Sequence, residues 1–222
     1  MADVTILDVS VPAASTDLIT LTECKIGLGL SLTTVDPVLD QQLAFLITMQ
    51  SAVVAGMCNA LIGGVGDPTF AKETLTESWR EIQTWDLGHR VLLTHWPVKQ
   101  NDITSVTVNG TPLDPGAWEL EEKSGKLSYY NGYNEPVVIS YTGGYDLPDE
   151  APMALKQACI TLIRDQRRQI LLSNLEGIRS LSHKSARVQF YDPTKLMAMG
   201  VGASASEKAA SSLLRPFMRY WI

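Results

Sequence analysis

Residues that carry chemistry are scarce in this chain of 222 residues, which has three cysteines and three histidines. Cys24, Cys58 and Cys159 are far apart, odd in number and set among apolar neighbours, with no CxxC and no Cys/His grouping. That pattern argues against a disulfide framework and a zinc site, and points to free thiols in a reducing cytoplasm. His89, His95 and His183 stand at no ligand spacing from one another or from a carboxylate pair, so no metal is expected. The GLGLSL run at 27–32 lacks the third glycine of a dinucleotide loop, and GGVGDP at 63–68 lacks the Lys-Ser/Thr of a phosphate loop. No GxSxG elbow occurs. Glu119, Glu121 and Glu122 read as the solvated side of a strand. No catalytic residue and no cofactor are expected, and the chain is read as not an enzyme.

Charge is sparse as well. Charged residues make up 19% of the chain, below the usual quarter, so some surface is expected to be hidden in partner contacts. The net charge of −6 argues against a freestanding nucleic-acid binder, which needs a basic footprint. From Gln41 to Gly66 no residue is charged. Length alone would let this run cross a membrane. Gln42, Thr48, Gln50, Ser51 and Asn59 interrupt it, however, and no Lys or Arg flanks it, so a buried helix and no membrane partner are expected. The first ten residues contain acids and no base, which predicts no signal peptide.

What charge there is has a direction. Residues 1–66 sum to −5 and 67–150 to −8, whereas 151–190 sum to +5 and 191–222 to +2. The periodicity likewise changes along the chain. Residues 1–19 read as an extended or disordered lead. Thr20 and Glu23 stand at capping-box spacing and open a short helix near 20–30, weakened by Gly27 and Gly29. Asp36-Pro37 opens a second helix near 37–62 on a stripe of Leu39, Leu43, Leu46, Ile47, Val53, Val54, Met57 and Leu61. An antiparallel β-region is predicted near 75–145, punctuated by the Asn109-Gly110 and Ser124-Gly125 turns. A third helix, near 149–172, carries Leu155, Ala158, Cys159, Leu162 and Ile163 on one face, with Arg164, Arg167 and Arg168 crowding its final turns. The fold class is therefore α+β.

Two surfaces stand out as contact candidates. Trp96, Trp118, Tyr129, Tyr130 and Tyr133 are more aromatic surface than a small meander buries alone, so the β-region is expected to project outward and meet another subunit or a tail-side component. Residues 198–212 are rich in Ala, Ser and Gly and read as a linker. Beyond it the chain concentrates Leu214, Arg215, Phe217, Arg219, Tyr220 and Trp221. That segment either folds back on its own domain or docks on another chain, and the linker favours docking. Residues 1–190 are thus taken as a core and 191–222 as a linker with a docking arm. Arg164, Arg167 and Arg168 are either a solvated helix end or a contact to DNA or an acidic partner.

The order of parts resembles the head–tail adaptor (connector) family of tailed bacteriophages. Ile19 to Leu30 is similar to that family's TL-x-E-x-K-x-x-L opening, and Asp40 to Ile47 to its D-x-x-L-x-x-L-I helix. Trp96-Pro97-Val98, then Ile103 to Val106 and Asn109-Gly110, resemble the P-V and I-x-S-V-x-V-x-G hairpin. Gly125 to Leu127 and Ile139 to Tyr145 are similar to the G-x-L and [VI]-x-Y-x-x-G-Y strands. Pro152 to Ala158 follows P-x-x-x-x-x-A, and Leu214 to Phe217 follows L-x-P-[YF]. The second helix departs from the pattern by ending in GGVG, and residues 191–212 match none of it. The resemblance implies a helical bundle with an inserted antiparallel β-meander and an extended C-terminal arm. It further implies a virion neck protein, made in the host cytoplasm, forming a ring of about twelve copies below the portal. Such a ring joins the DNA-filled head to the stopper, tail-completion protein or tail, and genomic DNA passes through it without sequence-specific binding. A tail-associated or secreted binding module using the β-meander is the other reading.

Overall fold

The computed structural model describes residues 4–33, 35–60, 69–79, 89–129, 136–173, 180–183, 186–189 and 205–218. Among them the chain is α+β, with four α-helices and antiparallel sheets. In chain order these are β1 (Val4–Val11), α1 (Leu21–Leu28), α2 (Pro37–Met57), β2 (Glu73–Trp79), β3 (His89–Leu92), β4 (Ile103–Val108) and β5 (Thr111–Pro112). There follow β6 (Trp118–Glu121), β7 (Lys126–Tyr129), β8 (Val137–Gly143), α3 (Met153–Ser173), β9 (Ser180–His183), β10 (Ala186–Gln189) and α4 (Ala205–Leu214).

Local chemistry sets the helix ends. At α1 the Thr20 hydroxyl accepts from the Glu23 amide at 3.1 Å, and the Glu23 carboxylate accepts from the Thr20 amide at 2.8 Å. The capping box is therefore closed in both directions. Asp36 accepts from the amides of Val38 and Leu39 at 3.1 and 3.2 Å, with Pro37 in the first turn of α2. This helix stops at Met57, short of the expected 62, where Asn59 takes φ 55° and turns the chain away. Asn is among the few residues that tolerate that conformation. Gly27 is a point of close approach: a side chain there would meet Ile160 of α3 at 2.8 Å.

The β-region is less simple than a meander. A five-stranded sheet runs β1-β2-β8-β4-β5, a three-stranded sheet runs β3-β7-β6, and β9 with β10 makes a separate pair. All these ladders are antiparallel. Asn109 (φ 49°) and Gly110 (φ 76°) make the tight turn between β4 and β5, as a two-residue hairpin loop requires. The lead at 1–19, expected to be extended or disordered, is extended over β1 and pairs as an edge strand on β2 with Leu7 opposite Glu77. Its VTILDVSV text lacks strict alternation, and the pairing partner lies some seventy residues away, so no local signal marks it.

Two apolar cores result. The helical core gathers Leu43, Ile47 and Val54 of α2 with Leu155, Cys159 and Ile163 of α3, Cys24 of α1, and Ala210 and Leu214 of α4. α2 is long and apolar enough to cross a membrane, but its Leu43, Ile47 and Val54 face is core. The β core lies between the two larger sheets and holds Leu75, Trp79, Val91, Leu93, Leu127, Tyr129, Ile139 and Tyr141. The linker expected over 198–212 gives way to helix from Ala205 onward. Ala210 and Leu214 are fully buried, so the described part of the C-terminal segment returns to its own helical core. Their spacing of four puts both on one face of α4, and burying that face is what orders an Ala/Ser-rich segment.

Candidate functional site

The densest polar chemistry lies inside the β core, on residues the sequence reading did not single out as a site. In β2 the inward positions are Glu73, Leu75, Glu77 and Trp79, so period-two geometry points two carboxylates into the sandwich. Glu77 Oε1 accepts from the Thr94 amide at 2.9 Å, from the Thr94 hydroxyl and from the Tyr141 hydroxyl. The Tyr141 oxygen also accepts from the His95 amide at 3.0 Å. His95 Nδ1 lies 3.2 Å from the Thr94 hydroxyl, and Nε2 lies 3.1 Å from Glu73 Oε2. Glu73 Oε1 accepts in turn from the Ala13 amide at 3.2 Å. The network thus ties the chain after β1, the middle of β2, the chain after β3, and β8.

Burial governs its electrostatics. Desolvation pushes Glu77 above the usual glutamate range, against the pull of the Thr94 and Tyr141 donors. Tyr141 is pushed well above the usual phenol by burial and by the neighbouring Glu77 charge. Glu77 Oε2 and Trp79 Nε1 are buried without a hydrogen-bond partner among the described residues. The adjoining cavity, bounded by Phe70, Thr94, His95, Trp96 and Phe217 among others, has a volume of about 10 Å³, room for about one water. A carboxylate, a histidine and a hydroxyl in series can relay protons. Here Thr94 is 6% and His95 3% exposed, so these groups face one another and not solvent. The arrangement clamps strands together.

Among the described residues no group of three His, Cys, Asp or Glu could hold a metal ion. The three cysteines are buried and free. Burial pushes Cys24 up to about 11 and Cys58 and Cys159 up to about 12, which leaves them neutral and poorly nucleophilic at physiological pH.

The residues singled out from sequence fall in three places. In the C-terminal group, Leu214 is fully buried in the chain's own helical core, so it is not available to another chain. Arg215 is exposed and Phe217 half-buried, while Arg219, Tyr220 and Trp221 lie outside the described residues. In the aromatic group, Trp96 is half-buried. Its Nε1 donates to the Glu122 carbonyl at 3.0 Å, and its ring meets Tyr145 edge-on at 6.3 Å. Trp118 is half-buried against the β core. Tyr129 is corrected: it lies inside that core at 1% exposure, because Leu127 and Tyr129 share the inward parity of β7. Tyr130 and Tyr133 lie outside the described residues.

The arginine group falls in the later turns of α3 as expected, with the helix ending at Ser173 and none of the three in the very last turn. The Arg164 guanidinium donates to the Gly27 carbonyl at 2.6 Å, satisfying an end of α1. Arg167 is half-buried near enough to act on Cys24, and Arg168 is exposed. A shallow groove of about 230 Å³ separates the β6–β7 turn (Lys123, Ser124) from Pro216, Phe217 and Met218.

The same fold occurs in a solved structure described as "Neck of empty GTA particle computed with C6 symmetry". That chain is 16% identical, with 98% of this chain and 97% of that one covered at a TM-score of 0.55. Two further structures align at 0.48 and 0.46. They are "Virion of native gene transfer agent (GTA) particle", 17% identical over 88% of this chain and 94% of that one, and "Neck of native GTA particle computed with C12 symmetry", 16% identical over 98% and 97%. At those scores they add nothing to the fold assignment. No family model and no curated protein matches the chain.

Proposed function

We propose that this chain is a structural protein of a virion neck, forming a ring below the portal that joins the DNA-filled head to the stopper or tail and extends the DNA channel. The observation that carries this reading is the fold shared, end to end on both chains, with a component of a gene transfer agent neck. The molecule's own chemistry agrees with it. Its most concentrated polar groups are sealed inside a sandwich and clamp strands, and its thiols are buried and neutral.

In this reading Arg215 and Phe217, together with Arg219, Tyr220 and Trp221, meet the portal or a neighbouring subunit, at the end of a chain that α4 has already anchored. Trp96 and Trp118, with Tyr130 and Tyr133, serve tail-side or inter-subunit contacts. Arg168, exposed on α3, meets DNA or an acidic partner, while Arg164 holds α1. The protein resides in the virion neck after assembly in the host cytoplasm, and DNA passes without sequence-specific binding.

Negative-stain imaging of the purified chain mixed with the portal of the same particle tests the reading. A ring of matching symmetry capping one face of the portal is the expected result. Discrete proteins side by side, with no capped portal at saturating concentration, would overturn it.

A further inference from the structure

Two aromatic rings stand between the small cavity beside His95 and the open groove at the β6–β7 turn. Among the described residues only Trp96 and Phe217 line both the cavity of about 10 Å³ and the groove of about 230 Å³. Thr94 and His95 also line the cavity. The Glu73–His95 pair and the Thr94 donors to Glu77 therefore lie directly behind those two rings.

Most of that boundary is fixed by directional bonds. The Tyr145 amide donates to the Phe70 carbonyl at 2.8 Å and the Gly144 amide to the Pro97 carbonyl at 3.0 Å, which joins the three segments forming the walls. Trp96 is pinned through its Nε1 to the Glu122 carbonyl and edge-on to Tyr145. Phe217 arrives differently. It is half-buried at the end of a 3₁₀ turn, Arg215–Phe217, three residues beyond the fully buried Leu214. Its side chain has no polar atom, so the ring is held by apolar packing on the helical core. Such packing is non-directional. A half-buried ring on a short turn is the wall that opens first, because local opening starts where burial is least.

We infer that Phe217 is the seal between the groove and the buried Glu73–His95 pair, and that the turn carrying it is a strap whose unseating lets water reach His95. The strap is tethered at Leu214, and Pro216 stiffens the path from that anchor to the ring. The position of the C-terminal turn is thereby coupled to the polar clamp of the β half. The inference goes beyond the neck reading and stands without it.

Modification of the full chain by diethylpyrocarbonate, read at His95 by peptide mass spectrometry at one pH, tests the seal. In F217A, His95 is expected to react at least about tenfold faster than in wild type, because the ring no longer blocks the groove. L214A loosens the anchor and leaves the ring in place, so a smaller rise is expected. L43A truncates a fully buried side chain of the helical core away from the cavity, and its His95 should stay as protected as in wild type. Unchanged protection in F217A overturns the seal. A rise in F217A with none in L214A overturns the strap. An equal rise in L43A overturns both, since lost stability alone would then account for it. Should F217A not fold, F217V is read in its place by the same criteria. Hydrogen exchange is a second measurement, free of imidazole chemistry. The His95 amide donates to the Tyr141 oxygen at 3.0 Å and the Thr94 amide to Glu77 at 2.9 Å. In F217A both are expected to exchange faster while the β2–β8 ladder stays protected. Exchange of these two amides only together with that ladder also overturns the seal.

Discussion

The helical half and the β half of this protein handle charge in opposite ways. In the helical half the ion pairs sit at the rim: Lys25 with Asp40 and Lys156 with Glu23, each at 2.6 Å, each with at least one partly exposed member. The interior is Leu, Ile, Val, Ala and Cys. The β half buries two carboxylates and a histidine beside its apolar core. Apolar packing is tolerant of repacking, because many arrangements bury similar area. A buried polar network admits one register, since a one-residue slip of β2 would send Glu73 and Glu77 to the outer face and strand their donors. The difference teaches that the helices supply cohesion while the network fixes how the sheets pair.

The largest expected effect lies on the polar side. His95→Ala leaves Glu73 facing an empty site without its ring partner, and removing one member of a buried pair costs about 3–5 kcal/mol. Chemical denaturation is the measurement. A loss below about 1 kcal/mol, the size of an exposed pair, would erase the contrast between the halves.

On the apolar side, Leu214→Ala tests whether α4 belongs to the helical core. A fully buried leucine truncated to alanine costs about 2–5 kcal/mol through lost burial and the cavity left behind. An extended arm would lose almost nothing. The same measurement therefore separates a C-terminal helix packed on its own core from a free linker.

A smaller effect, with a sign that depends on pH, is expected at Glu77. Its folded pKa is raised by burial above the ordinary value of 4.5. The folded state therefore holds this proton more tightly than the unfolded chain does, and stability falls as pH rises through and above 4.5. Glu77→Gln keeps an acceptor for Thr94 and Tyr141 and carries no charge. The variant should match wild type in acid and exceed it at pH 8, with a flatter stability profile. Guanidinium melts from pH 4 to pH 8 read this directly. A variant less stable than wild type at pH 8 would show that the carboxylate is needed as an anion.

These contrasts also explain what could be read in the sequence. The capping box at Thr20 and Glu23, the Asp36-Pro37 start, the Asn109-Gly110 turn and the apolar face of α3 are local signals, with cause and effect within four residues. β1 was invisible for the opposite reason: its pairing to β2 depends on a partner far along the chain. The network was equally hidden, although one signal was present. In ETLTESW the two glutamates share parity with Leu75 and Trp79, so alternation alone places them inward. Over 205–212 the expected linker is helix instead, because Ala and Ser are compatible with helix as well as coil and only tertiary burial of Ala210 and Leu214 decides; residues 198–204 lie outside the described residues. Trp96 stands out in the sequence by its size, yet its partners Glu122 and Tyr145 come from other segments.

The rim pairs give the smallest effect and the sharpest check on the comparison. Burial pushes Glu23 up, but the Lys156 ammonium and the Thr20 amide and hydroxyl outweigh it and hold the carboxyl below the ordinary 4.5. A carboxylate with a depressed folded pKa contributes stability above that value and loses it as pH falls through the folded pKa, the reverse of Glu77. Glu23 is 36% exposed in its side chain, so water screens the pair, and Lys156→Met should cost no more than about 1 kcal/mol at pH 7. The cost should shrink in high salt, since exposed pairs are screened. It should also shrink as pH falls through the lowered folded pKa, where the carboxyl takes up its proton. The Glu77 profile should be nearly insensitive to salt, because ions do not reach a group sealed between two sheets. Melts of both variants in low and high salt make the comparison. If Lys156→Met were more costly than His95→Ala, or less salt-sensitive than Glu77→Gln, the rim and the interior would have exchanged roles.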